Sequence, residues 1–127
     1  MTSSNNKKSY TKENRERGRQ FEKLAGKYFL ENNFEILEEN WQAGRKEIDL
    51  IVKKENLIIF VEVKSASSKK FGHPSERVDQ RKIQNLSQAA KQYILVHNLT
   101  NIDMRFDVVT FIEGKLEHYE NAFDVIE

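Results

Sequence analysis

The sequence predicts an α/β sandwich, a mixed β-sheet with helices packed on its faces. Three observations carry this. Phe21, Leu24, Ala25, Tyr28 and Phe29 recur at helical spacing and form one apolar stripe. A second such pattern falls between residues 75 and 96. Between and after these lie runs of β-branched residues, one of which, residues 57–64, is apolar on both faces for most of its length and so predicts a central strand covered on both sides.

Taken in order, residues 1–11 show no periodicity and read as a polar, disordered lead-in. The first helix is expected over Lys12–Asn32, with Asn32 and Asn33 as its stop. Phe34–Glu38 reads as a strand leading to Asn40-Trp41 and a turn at Gly44. Glu47–Lys53 alternates, with Ile48, Leu50 and Val52 on one face and Glu47, Asp49 and Ile51 on the other. Lys54-Glu55-Asn56 turns the chain into the central strand, making a hairpin. Ser65–Pro74 is a loop, and a second helix follows from Ser75, a plausible N-cap, to Val96, with Val78, Ile83, Leu86, Ala90, Tyr93 and Ile94 inward. Arg105–Ile112 is a strand, Gly114 turns, and Leu116–Tyr119 returns as a short edge strand. The domain is therefore expected over 12–120, with an acidic tail over 121–127.

The chain of 127 residues is 38% hydrophobic and 32% charged, which fits one soluble domain with a single core. No run of about 18 apolar residues is present to span a membrane. The polar start, Met1–Lys8, lacks the apolar core of a secretory signal. The absence of cysteine excludes disulfides, thiolate metal sites and a Cys nucleophile. The plain expectation is a cytoplasmic protein. A net charge of +1 hides an uneven distribution, with a basic N-terminal end and an acidic C-terminal end, and a basic end suits phosphate backbone as well as it suits a solvated tail.

Chemistry is expected where acids interrupt apolar runs. Glu62 and Lys64 share a face of the central strand, and the hairpin turn places Asp49 roughly opposite Val61, within reach of Glu62. Glu22 lies at the margin of the first helix's buried face. Each residue alone also fits a structural role: a salt bridge at a strand end for Glu62 and Lys64, a turn cap for Asp49. Together, converging carboxylates repel unless a cation resolves the conflict, and oxygen ligands of this kind suit Mg²⁺ or Mn²⁺. A lysine beside such a site can orient a water or offset charge on a phosphate.

Glu22, Asp49, Glu62 and Lys64 in this spacing resemble the PD-(D/E)XK signature of restriction endonucleases and Holliday-junction resolvases. The surrounding segments are more specific: Gly18-Arg19-Gln20-Phe21-Glu22, Asn40-Trp41-Gln42-Ala43-Gly44, Glu47-Ile48-Asp49-Leu50-Ile51, Phe60-Val61-Glu62-Val63-Lys64, Phe71-Gly72 and Arg105-Phe106-Asp107-Val108-Val109. With them the chain resembles the YraN-like family of predicted bacterial endonucleases over about residues 15–112. The resemblance implies a restriction-endonuclease-like three-layer sandwich and a metal-dependent nuclease. Its substrate would be nucleic acid, DNA rather than RNA, with branched or structured DNA as the candidate. It implies Asp49 and Glu62 as metal ligands, Lys64 as catalytic lysine, Glu22 as the helix carboxylate of the site, and a basic position at Lys82. Arg19 is expected on the phosphate backbone. Lys46 stands where relatives commonly carry glycine, and Ala66 where they carry a basic residue; both changes bear on phosphate contacts. Resolvase-like members of the fold suggest a homodimer. The rival expectation is a nuclease-fold module that binds nucleic acid or a partner with catalysis weak or lost.

Other residues are set aside. No His pair has zinc spacing, and His73, His97 and His118 read as solvated or helix-end residues. Asp107 reads as a structural partner of Arg105, and Trp41 as a core residue. Ser65, Ser67 and Ser68 lack the base that a nucleophilic serine needs.

Overall fold

The structure, a computed structural model, describes residues 3–66 and 80–124. Its elements run α1 (Ser3–Glu31), β1 (Glu35–Ala43), β2 (Lys46–Lys54), β3 (Leu57–Ala66), α2 (Gln80–Val96), β4 (Asp103–Ile112) and β5 (Lys115–Phe123). The five strands form one sheet in the order β1-β2-β3-β4-β5. Every neighbouring pair is antiparallel except β3 and β4. A parallel pair needs a crossover, and α2 supplies it between these two strands.

The helices lie on opposite faces. Ala25 and Phe29 of α1 pack with Leu50, Val52, Ile59, Val61, Val109 and Phe111. Leu86, Ala89, Ala90 and Tyr93 of α2 pack with Ile48, Ile51, Ile58, Phe60 and Phe106. The two-sided run in β3 thus divides between two cores, odd-numbered residues toward α1 and even-numbered residues toward α2, as a doubly covered strand requires. Phe29, Phe60 and Phe106 are essentially fully buried; truncating any one to alanine would cost about 3–5 kcal/mol. No helix among the described residues is long and apolar enough to cross a membrane.

Four expectations need correction. Helix α1 begins at Ser3 rather than near Lys12. Once a helix is nucleated, lysine, arginine and glutamate propagate it without an apolar stripe, so periodicity could not find its start. Leu24, placed in the stripe, is 50% exposed, because α1 rests on the sheet along Phe21, Ala25 and Phe29. The β1 strand continues to Ala43 and β5 to Phe123, well beyond the short strands expected; their polar, glutamate-rich sequences mark outer strands with one face in solvent, which hides the period-two signal. The expected tail at 121–127 therefore begins inside β5. The loop after Ala66 and the Ser75 start of the second helix, with Val78, fall outside the described residues.

Candidate metal centre

The site grows from a break in the sheet. Strands β2 and β3 pair from Lys54 opposite Leu57 up to Leu50 opposite Val61, and the pairing stops there. The register is one residue from the sequence expectation, which set Asp49 against Val61. In place of the next ladder bond, the Val63 N–H donates to Asp49 Oδ2 at 2.8 Å. The side chain thus takes an acceptor role that the backbone would normally fill. The break also swings Ile48 out of the Leu50–Val52 face: it packs with Ile51 against α2, contrary to strict alternation. Breaks of this kind in a sheet re-aim side chains and gather beside functional sites.

On the other flank, β1 is kinked at the same level. Glu39 pairs with Leu50 and Trp41 with Ile48, and Asn40 between them takes φ 51°. Asparagine is among the side chains that tolerate this left-handed conformation best. Its side chain lies near the Glu22 carboxylate, which reaches in from α1, and favours its charged form.

The result is a convergence of acids. Oxygens of Glu22, Glu47 and Asp49 all lie within 4.8 Å of one another. Glu62, buried with 6% exposure, lies close enough to Asp49 for the two carboxylates to act on each other. Its Oε2 lies 3.2 Å from the Lys82 ammonium on α2. Glu22 Oε1 is a buried oxygen that accepts no hydrogen bond among the described residues. Burying such an oxygen without a partner costs free energy that a bound cation would recover.

Electrostatics agree with the geometry. Asp49 keeps some exposure at the cleft mouth, yet the protein closely surrounding it pushes its carboxyl well above the usual carboxylate range. The neighbouring Glu62 and Glu22 push the same way, and the Val63 N–H opposes them. Burial likewise raises Glu22; contacts with Asn40 and Asp49 pull it part of the way back, against the charges of Glu47 and Glu62. For Lys82, burial works against the ammonium, but the charges of Glu62, Asp49 and Glu47 outweigh it and leave its pKa above the ordinary lysine value.

Of the residues expected from the sequence, the structure gathers Glu22, Asp49 and Glu62 in one place and brings Lys82 to them. Lys64 stands two residues beyond Glu62 on β3, part-buried and opposite Thr110; the ion pair to Glu62 comes from Lys82. Arg19 lines a cleft of about 190 Å³ beside Glu22. Lys46 lines a second cleft, of about 230 Å³, that includes Asp49 and Lys82, and its ammonium is hydrogen-bonded to Gln88. Two contributors were missed in the sequence: Glu47, whose carboxylate accepts from Gln42 Nε2 at 3.1 Å, and Asn40. The signals were present. Glu47 shares the Asp49 face at a two-residue offset, and an asparagine inside a strand run is out of place unless the backbone bends there.

This chain is similar to proteins of several bacteria. It is 44% identical over 112 residues to a UPF0102 protein of Clostridioides difficile, covering 87% of this chain and 98% of that one. It is 42% identical over 108 residues to a UPF0102 protein of Thermodesulfovibrio yellowstonii, covering 85% and 96%. A UPF0102 protein of Flavobacterium psychrophilum is 37% identical over 115 residues, covering 87% and 96%. The model of the uncharacterised protein family UPF0102 matches residues 21–111, which span the first helix carboxylate, both kinked strands, Glu62 and Lys82. The chain belongs to the UPF0102 family.

Proposed function

We propose that this protein is a divalent-metal-dependent nuclease of the PD-(D/E)XK type, with a restriction-endonuclease-like fold, hydrolysing nucleic-acid phosphodiesters. The observation that carries the reading is Asp49, held at a break in the sheet against Glu22, Glu47 and Glu62 with a single backbone donor to offset them. Carboxylate oxygens of this kind, one of them buried without a hydrogen bond, are a donor set that Mg²⁺ or Mn²⁺ fits. Asp49, Glu22 and Glu62 would hold the ion, with Glu47 at the mouth. Bound there, the cation supplies Lewis acidity toward a phosphoryl oxygen and lowers the pKa of a water. Lys82 holds Glu62 in place, and Lys64, on the same face of β3, offsets charge on the reacting phosphate. Arg19 and Lys46, on opposite sides of the acids, hold the backbone, and DNA with exposed or branched segments is the substrate we favour.

One observation favours a second reading, a binding module with weak catalysis: the ion pair to Glu62 is made by Lys82, the helix residue, not by Lys64. Both readings meet one experiment. A labelled four-way DNA junction, a linear duplex and a single strand are incubated with Mg²⁺ or Mn²⁺ and either wild type or Glu62→Ala. Cleavage by wild type that disappears in the variant is the expected result. Tight, salt-sensitive binding without cleavage would move the protein to the second reading.

A further inference from the structure

One cavity near the acids has no role in the function proposed above. It is an open cleft of about 560 Å³ between the β1–β2 hairpin end and α2, and its walls include Trp41, Gln42, Gly44, Lys46, Gln88 and Gln92. Three features set it apart from a solvent groove. It adjoins the acidic site, because Gln42 also lines the Glu22 cleft and Lys46 the Asp49 cleft. Gln42 donates to Glu47 at 3.1 Å, and Lys46 is hydrogen-bonded to Gln88, so both polar walls are tied to the site's edge. The aromatic wall is rigid, since Trp41 packs edge-on against the buried Tyr93 at 5.1 Å.

Three amide side chains around one cleft suit a base edge. An amide offers a donor and an acceptor side by side, the pattern that a nucleobase presents in return, and an aromatic wall suits any base. A base paired in a duplex has its Watson–Crick edge covered, so a concave amide-lined cleft selects a base that is unpaired. We propose that this cleft receives one unpaired nucleobase of the strand whose phosphate lies at the acidic site, with Gln42, Gln88 and Gln92 meeting its edge and Trp41 its ring. This rests on the nuclease reading and sharpens it: the substrate would be DNA that exposes an unpaired base beside the cleavage point.

Trp41 is the only tryptophan in the chain, so its fluorescence reports the cleft directly. The full chain is titrated, with Ca²⁺ in place of Mg²⁺, with a short single-stranded oligonucleotide and with the same strand in a blunt duplex. The expected result is Trp41 quenching by the single strand and none by the duplex. Gln88→Leu and Gln92→Leu, each with the melting temperature of wild type, should each weaken single-strand binding about tenfold, the scale of one lost amide–base pairing. Single-strand binding that leaves Trp41 fluorescence unchanged, or that is as tight in both glutamine variants as in wild type, would overturn the base-cleft inference, while cleavage by wild type would leave the nuclease reading standing. Failure of every nucleic acid to bind or be cleaved would overturn both.

Discussion

Asp49 and Asp107 sit on strands of the same sheet, both within the protein's interior layers, and their neighbours treat them in opposite ways. Asp107 is fully buried and accepts from Arg105 Nε at 2.9 Å, Arg105 Nη2 at 3.1 Å, His118 Nε2 at 2.7 Å and the Asn121 N–H at 2.9 Å. Burial alone would raise its pKa, yet His118, Arg105 and that N–H outweigh it and hold the carboxyl below the usual range. The network extends to Tyr28, whose hydroxyl is 2.9 Å from His118 Nδ1, and so ties β5 to α1. Asp49 accepts from one N–H and has Glu22, Glu47 and Glu62 around it. The fold can therefore satisfy a buried aspartate completely, and at Asp49 it does not. In the reading proposed above, a carboxylate left in deficit beside three more, at a break in the sheet, is where an outside cation would complete the structure.

Mutations should break this contrast in opposite directions. The largest effect expected is on activity: Asp49→Asn should lower Mg²⁺-dependent cleavage about a thousandfold or more, since it removes several kcal/mol of metal-derived stabilisation. Its denaturant midpoint should hold or rise, because the substitution relieves repulsion among acids. Asp107→Ala should do the reverse for stability and cost about 3 kcal/mol, because it removes the buried partner of both the Arg105 guanidinium and the His118 ring. Urea unfolding of the two variants side by side decides this, and equal losses would erase the distinction.

The pH dependence sharpens the same comparison. Asp107 is depressed in the folded state, so its contribution is present above the ordinary aspartate pKa of 3.8 and is lost as pH falls through its lower folded value. Asp49 is raised, so the folded protein keeps a proton that the unfolded chain gives up, and stability declines as pH rises from 3.8 toward its higher folded value. Metal-free wild type should therefore lose stability relative to Asp49→Asn across that upper window, and the gap measured by urea unfolding should close at acid pH.

The smallest effect concerns the cations around the acids. Arg19→Ala and Lys46→Ala should each weaken DNA binding without changing sequence preference. Each should reduce the slope of log K against log salt by about 1. A slope unchanged in both variants would place the phosphate path elsewhere on the molecule.

How much of this was readable in the sequence varied with the physics behind each feature. The helix–strand order was legible because apolar periodicity is strong wherever a face is buried, as in Phe21–Phe29 and Leu57–Lys64. The outer strands β1 and β5 were cut short because their solvent faces carry glutamate and asparagine, which erase the alternation. Glu22, Asp49 and Glu62 were legible as acids interrupting or flanking apolar runs. Asn40 and Glu47 were not, since one acts through a left-handed backbone and the other through a convergence that only the break in the sheet creates. Asp107 was read as Arg105's partner, which it is; its ties to His118 and Asn121 join residues that local spacing could not connect.

The central claim is that Asp49 and its neighbouring acids bind a divalent cation, and calorimetric titration of Mn²⁺ into wild type and Asp49→Asn tests it most directly. The account predicts saturable binding to wild type with a rise in melting temperature of a few degrees at about ten times Kd, and neither in the variant. Equal heats for the two proteins, or no binding to wild type, would contradict it.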